Sequence, residues 1–281
     1  MLIREIITER LIDEDVPIRD TSHMAAYAIV VAEAYDAAPQ HDPSVTRLWQ
    51  DFAQQNRTVM LGKIAKAGVK VEYTPDDPYG SDTDDPKMMI RYMLWDMVMN
   101  QRLQIYAGHS DNHPVFSEQD NVIFRTVHDY FTHGRLRAMF KQQLAKMGLL
   151  HRRPTPEQLA AILPTIKLDL GGNIGHTFTM RGEINAFLTH SRLVSPKLVP
   201  VLFTEVVGQV CYHVVADNFP VQKAAILQGF DYKRVGQITA PAIATRMQQL
   251  IAALASEPTI HVKIAARPEV KSADILAKVT R

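Results

Sequence analysis

The stretch VIFRTVHDYFTH, Val122–His133, decides how the chain is read, because it sets two histidines and an aspartate among apolar residues at helical spacing. Ser117 and Asp120 precede it as an N-cap and its box partner, so a helix is expected to open there and run to about Met147. At about 100° per residue, Asp129 and His133 lie about 40° apart on one face, one turn from each other. His128 lies about 100° from Asp129 and about 140° from His133, on the flank of that stripe. Two readings stay open for this segment alone. It is either a chelating pair, or an Arg125–Asp129 ion pair at i,i+4 with two incidental histidines.

Two later segments bear on the choice. In RGEINAFLTHSRL, Arg181–Leu193, Glu183 and His190 are two turns apart with about 20° of offset, and Ala186 and Phe187 share their face. A carboxylate and an imidazole on an apolar surface are costly to bury unless paired or metal-bound. A first-turn Glu favoured by the helix dipole is the plainer alternative. In SPKLVPVLFTEVVGQVCYHVVADNF, Ser195–Phe219, Glu205 stands among Val, Leu and Phe with Gln209 one turn on. Gly208 leaves room for a close approach. His213 is about 80° off the Glu205 face and is placed in reserve.

Three apolar helices thus each bring an acid, two of them with a histidine. Helical bundles build transition-metal sites from such inward carboxylates and imidazoles. The expected ligands are His128, Asp129, His133, Glu183, His190 and Glu205, with Arg125, Gln209 and His213 around them. Mixed imidazole and carboxylate ligation suits one or two ions of Fe, Mn or Zn better than Ca or Mg.

The rest of the chain frames this set. The 281 residues are 46% hydrophobic with a net charge of +1, enough for a large core and with no field that steers toward nucleic acid. The single cysteine, Cys211, excludes an intrachain disulfide framework and fits a reducing compartment. The N-terminus lacks the apolar run of a signal peptide, and no uncharged membrane-length stretch is found. Residues 1–20 are read as an arm, and residues 21–281 as one mainly α, bundle-like domain with one or two small β elements.

Helices are expected from Ser22, from Asp42-Pro43 to Gly68, from Asp85-Pro86, from Thr155 with Gln158 closing a capping box, from Arg181, from Ser195-Pro196, and over PAIATRMQQLIAALAS. Strands are expected at VKVEYT and RLQIYAG, and an extended segment at TIKLDLGGNIGH. The acidic loop PDDPYGSDTDDP lacks the closing Glu of an EF-hand, and GGNIGH lacks the Lys-Ser/Thr pair of a phosphate loop. The Met-rich KMMIRYMLWDMVMN reads as core.

FRTVHDYFTH followed by RGEINAFLTHSRLVSPKLVPVLFTEVVGQ resembles an uncharacterised, mostly bacteriophage-encoded family with FRxVHDxxxH … GExxAxxxHSxxxSPxxxxxxxTExxGQ motifs. The likeness runs over about residues 25–210, with residues 141–175 as an insertion. His128, Asp129, His133, Glu183, His190, Glu205 and Gln209 match the motif, whereas His213 lies outside it. Thr132 replaces a glycine and Phe187 a tryptophan of that pattern.

The resemblance implies the residue set and a phage setting, in the host cytoplasm or with the virion, but no reaction. Two functions are expected to compete. One is a metal-dependent enzyme, hydrolytic or oxygen-activating, acting on a small molecule. The other is a virion or assembly protein that contacts other phage proteins and carries a structural cluster. The His128-Asp129 dyad also resembles HD-type phosphohydrolases, for which His109 or His113 is the candidate upstream histidine.

Overall fold

The computed structural model describes residues 21–79, 86–108, 110–166, 180–216 and 218–256. The N-terminal arm, His109, GGNIGH and most of the extended segment before it lie outside the described residues. Within them the chain is mainly α-helical with one two-stranded sheet.

Helix α1, Thr21–Ala37, is buried without interruption from Ala25 to Ala32, as an all-round apolar helix must be. Small alanines let its neighbours approach closely. Those neighbours are the run Pro196–Ala216 and the last helix, Pro241–Ser256. Together with Trp49, Phe52, Phe187 and Phe203 they close a first apolar core. The Pro196–Ala216 run is long and apolar enough to cross a membrane by composition, yet most of it is buried inside the protein.

Helix α2, Thr46–Gln55, follows a 3-10 turn whose N-cap is Asp42, with Pro43 first, as the sequence indicates. A π-turn, Asn56–Met60, joins it to α3, Leu61–Lys66, and Gly68 at φ +73° ends the run. Strand β1, Lys70–Thr74, pairs with β2, Arg102–Tyr106, in parallel, with Lys70 opposite Arg102 and Thr74 opposite Tyr106. Parallel pairing needs a crossover rather than a hairpin, and α4, Pro86–Trp95, lies within it.

After α4 a π-turn, Asp96–Asn100, delivers Asp96 to the sheet. Its buried carboxylate accepts from Arg102 Nε and Nη2 (both 3.0 Å), Gln104 Nε2 (2.9 Å) and Asn100 Nδ2 (2.6 Å). Such saturation offsets the cost of burying the charge. Helix α4, the sheet and residues from Met60 to Ile166 form a second core around Ile64, Leu94, Leu103 and Phe140.

Helix α5, Glu118–Phe131, lies at the seam of the two cores. Phe124 belongs to the first, and Val127 and Tyr130 to the second. The Ser117–Asp120 capping box is present at its start, and Arg57 pairs with Asp120. The helix is shorter than its pattern indicates. It stops at Phe131, a 3-10 turn His133–Leu136 intervenes, and α6, Arg137–Lys146, begins a new helix.

Gly134 lies in that break and is closely packed. A side chain on Gly134 would meet Met97 Cε at 2.9 Å and the Asp129 carbonyl at 3.1 Å, and Arg137 Nη1 donates to the Gly134 carbonyl (3.0 Å). Further on come α7, Pro156–Ile162, with the Thr155–Gln158 box, and α8, Met180–His190. Then follow α9, Val199–Phe203, α10, Gln209–Ala216, and α11, Pro241–Ser256.

A π-turn, Thr204–Gly208, separates α9 from α10. The space beside Gly208 is taken, since a Cβ there would stand 2.7 Å from Tyr35 Cδ2 and 3.0 Å from Leu227 Cδ1. Gly208→Ala is therefore expected to destabilise the fold by about 1–3 kcal/mol through overpacking. Urea unfolding measures it, and an unchanged midpoint would mean that the Tyr35 ring moves aside at no cost.

Candidate metal centre

The break after α5 re-aims His133. Thr132 ends the helix with its N–H donating to the His128 carbonyl (2.9 Å), and the 3-10 turn then swings His133 back toward His128. Their ring centroids are 5.0 Å apart. On a continuous helix His128 stands on the flank of the Asp129–His133 stripe; in the folded chain it is a full member of the group. Ligand atoms of His128, Asp129 and His133 all lie within 4.8 Å of one another, and the three can hold a metal ion.

Helix α8 brings Glu183 onto the same spot. One of its oxygens, Oε2, is 3.1 Å from His128 Nε2, and the other, Oε1, is 3.5 Å from His133 Nε2. Glu183 is thus not an exposed first-turn acid, for its side chain is only 15% accessible. Burial would raise its pKa, but the two imidazoles outweigh burial and hold the carboxyl well below its ordinary value. His133 responds in kind. Burial would lower it, yet Glu183 and Asp129 beside it keep the imidazole above its usual pKa. Burial raises Asp129, and the flanking histidines only partly oppose that.

His190 ends α8 fully buried, its ring stacked on Phe124 (6.0 Å, 13°) and 5.8 Å from His128. Neither of its ring nitrogens has a hydrogen-bond partner among the described residues. Burial and the neighbouring His128 push its pKa well down, so the ring is neutral. Its two ring nitrogens are buried polar atoms that no described residue satisfies.

Glu205 faces a different partner. Its π-turn directs the carboxylate to His113, with Oε2 3.9 Å from Nε2 and both side chains buried. Burial lifts Glu205 to about 8, against the opposing pull of Gln209 and Arg125. His113 Nδ1 accepts from the Val115 and Phe116 backbone N–H groups (3.1 and 2.8 Å), so a neutral ring carries its proton on Nε2. That tautomer presents a donor, not a metal lone pair, toward Glu205. Burial pushes the His113 pKa down to about 3.

Arg125 is close enough to both Glu205 and Asp129 to feel their charge. Its hydrogen bonds nevertheless run to the Tyr106 and Gly108 carbonyls (2.8 and 2.7 Å) at the end of β2. The i,i+4 pair with Asp129 is therefore not what anchors it. His213, in the last turn of α10, stacks on Phe219 (4.3 Å, 13°). His113 and Asp96 are two of the buried polar residues that helical spacing does not single out. One sits in a loop, and the other draws its partners from a turn and a strand.

His133 lines a small depression with Thr132, Arg135, Leu136, Gly182, Asn185 and Ala186, whose free space is about that of one water. Comparison with protein-family models, with curated proteins and with solved structures gives no match. The reading of this site therefore stands on its own chemistry.

Proposed function

We propose that this protein is a metal-dependent hydrolase whose ion is held by His128, Asp129, His133 and Glu183, with His190 as a further imidazole. The observation that carries this reading is the set of three ligand atoms within 4.8 Å, beside a carboxylate that touches both imidazoles. With metal–nitrogen bonds of about 2.0–2.1 Å, two imidazoles on one tetrahedral ion place their ring centroids roughly 5 Å apart. The His128–His133 separation is 5.0 Å, whereas His128–His190, at 5.8 Å, is wider than such a pair.

One ion accounts for these donors, and Zn, Mn or Fe suits them. Glu205, turned toward His113, is left out of the set. When bound, such an ion supplies Lewis acidity and a water that ionises near neutral pH. The chain's own residues do the rest. Asp129 and Glu183 would balance the charge of a dication, and His128 and His133 would supply its nitrogen ligands.

A second reading follows from the same donors, because two histidines and a carboxylate also form the iron site of oxygen-activating enzymes. Resemblance to the phage family supports the residue set equally under either reading. Metal analysis of the untagged protein, followed by a phosphoester panel, is the test. Stoichiometric Zn or Mn with ester hydrolysis is the expected result. Iron with oxygen consumption would favour the second reading. A folded, metal-free protein would overturn both and leave a structural polar cluster, as in a virion or assembly protein.

A further inference from the structure

The net charge of +1 conceals an uneven distribution. From Tyr130 to Pro156 the chain carries six arginines and lysines and no carboxylate, with Asp129 and Glu157 the nearest acids on either side. The fold sorts these six. Arg135 and Arg137 are tied to the body, the first through Thr189 and the second through the Gly134 carbonyl and the Tyr130 hydroxyl. Lys141, Lys146, Arg152 and Arg153 are exposed. Among the described residues their side chains make no ion pair, and their one hydrogen bond runs from Arg153 Nη2 to the Met99 carbonyl (3.4 Å).

Helix geometry gathers the four. On α6, Lys141 and Lys146 lie about 140° and about 7.5 Å of rise apart, with Gln142 and Ala145 exposed between them. The outer face is thus made of short side chains with a cation at either edge. At its C-terminal end the Leu149 N–H donates to the Leu144 carbonyl (2.9 Å), and Gly148, at φ +66°, turns the chain back. The Arg152 N–H closes the next turn on the Leu149 carbonyl (3.0 Å), so Arg152 and Arg153 follow directly on the end that bears Lys146.

Charge and shape together select the partner. Exposed charges more than a Debye length apart, about 8–10 Å in physiological salt, are screened, so carboxylates on the other core do not cancel this cluster. A helix that lies in a membrane surface needs a large apolar face, and here only Met147, 40% exposed, is available to enter a bilayer. Single-strand binding relies on aromatic platforms, and this face has no exposed Phe, Tyr or Trp. Phosphate contacts by Lys and Arg need neither feature. We infer that the outer face of α6 and the turn after it bind the phosphate backbone of a nucleic-acid duplex, through Lys141, Lys146, Arg152 and Arg153 and without regard to base sequence. This binding is independent of the metal centre.

Fluorescence anisotropy of a labelled, mixed-sequence DNA duplex of about 20 base pairs, titrated with full-length protein in the presence of a chelator, tests this. Four phosphate contacts make log K fall against log salt with a slope of about −3.6, so affinity is expected to drop about 100-fold or more between about 50 and about 200 mM salt. Lys141→Gln with Lys146→Gln is expected to make that slope shallower by about two and to weaken binding at the lower salt by about tenfold or more. Arg152→Gln alone is expected to make it shallower by about one. Lys141→Arg with Lys146→Arg is expected to retain binding, and Lys233→Gln, exposed beside Tyr232 of the first core, to change nothing.

No binding at the lower salt with up to about 100 μM protein, or equal affinity and slope in wild type and the double glutamine variant, would overturn the inference while leaving the metal reading intact. Lysine-dependent binding to phosphatidylserine vesicles, with none to the duplex, would overturn it too and assign the face to a membrane surface.

Discussion

His133→Ala and Glu183→Ala proteins are expected to lose bound metal, with affinity lower by about 100-fold or more, while wild type retains it through gel filtration. Each removes a group that faces the others across less than 4 Å, so neither loss can be made good by a neighbour. Even outer partners of metal ligands typically carry 10–100-fold in affinity, and direct ligands carry more. Metal must also displace the proton that His133 holds against Glu183. Because the His133 pKa is raised, affinity is expected to fall as pH drops through that raised value.

Elemental analysis and competition with a chelator measure both effects. Glu183→Gln separates the metal from the fold, since it keeps the side-chain shape but gives up the charge. Full metal occupancy in His133→Ala and Glu183→Ala, with both variants folded as wild type, would sink the site.

Glu205→Gln is expected to stabilise the protein above neutral pH. The folded-state pKa of Glu205 is about 8, against an ordinary carboxyl value of 4.5. Between those values the folded chain holds a proton that the unfolded chain has released. The stability this contributes is fully present below 4.5 and is lost as pH rises through about 8. At about 1.4 kcal/mol per pH unit, the loss comes to several kcal/mol by pH 8.5.

Glutamine keeps the neutral shape at every pH and escapes that loss. With roughly 2–4 °C per kcal/mol for a chain of this size, a rise in Tm of about 10 °C is expected at pH 8.5 and little change at pH 5. His190, whose pKa is depressed, acts in the opposite sense and below the ordinary histidine range, but it is common to both proteins and cancels in the difference. Parallel Tm–pH curves for wild type and variant would refute the assignment.

Local chemistry made much of the architecture legible. Ser117–Asp120 and Thr155–Gln158 are capping boxes in the sequence and in the fold, and Gly68 stops its helix at positive φ. Such signals act within a few residues, so a single sequence contains them whole. The end of α5 is different. In DYFTHGRLRAMF the one breaker, Gly134, falls three residues past the stop at Phe131, and only the fold shows Met97 packed close against it and Arg137 bonded to its carbonyl.

The site followed the same division. Residue types and apolar surroundings pointed to His128, Asp129, His133 and Glu183, and the chain brings these four together. Helical angle alone placed His128 on the flank, since it assumed a helix that the fold interrupts. The turning of Glu205 toward His113 was illegible for a related reason. It depends on a π-turn and on a loop imidazole whose tautomer is fixed by two backbone amides.

Helix α5 gives Phe124 to one apolar core and Val127 and Tyr130 to the other. Loosening of either half therefore strains the same short rod that carries His128 and Asp129. A centre mounted on such a shared rod has no cheap local opening, since regional fluctuations are easiest where few buried contacts must break. An ion taken up there would act as a rivet between the two halves of the body.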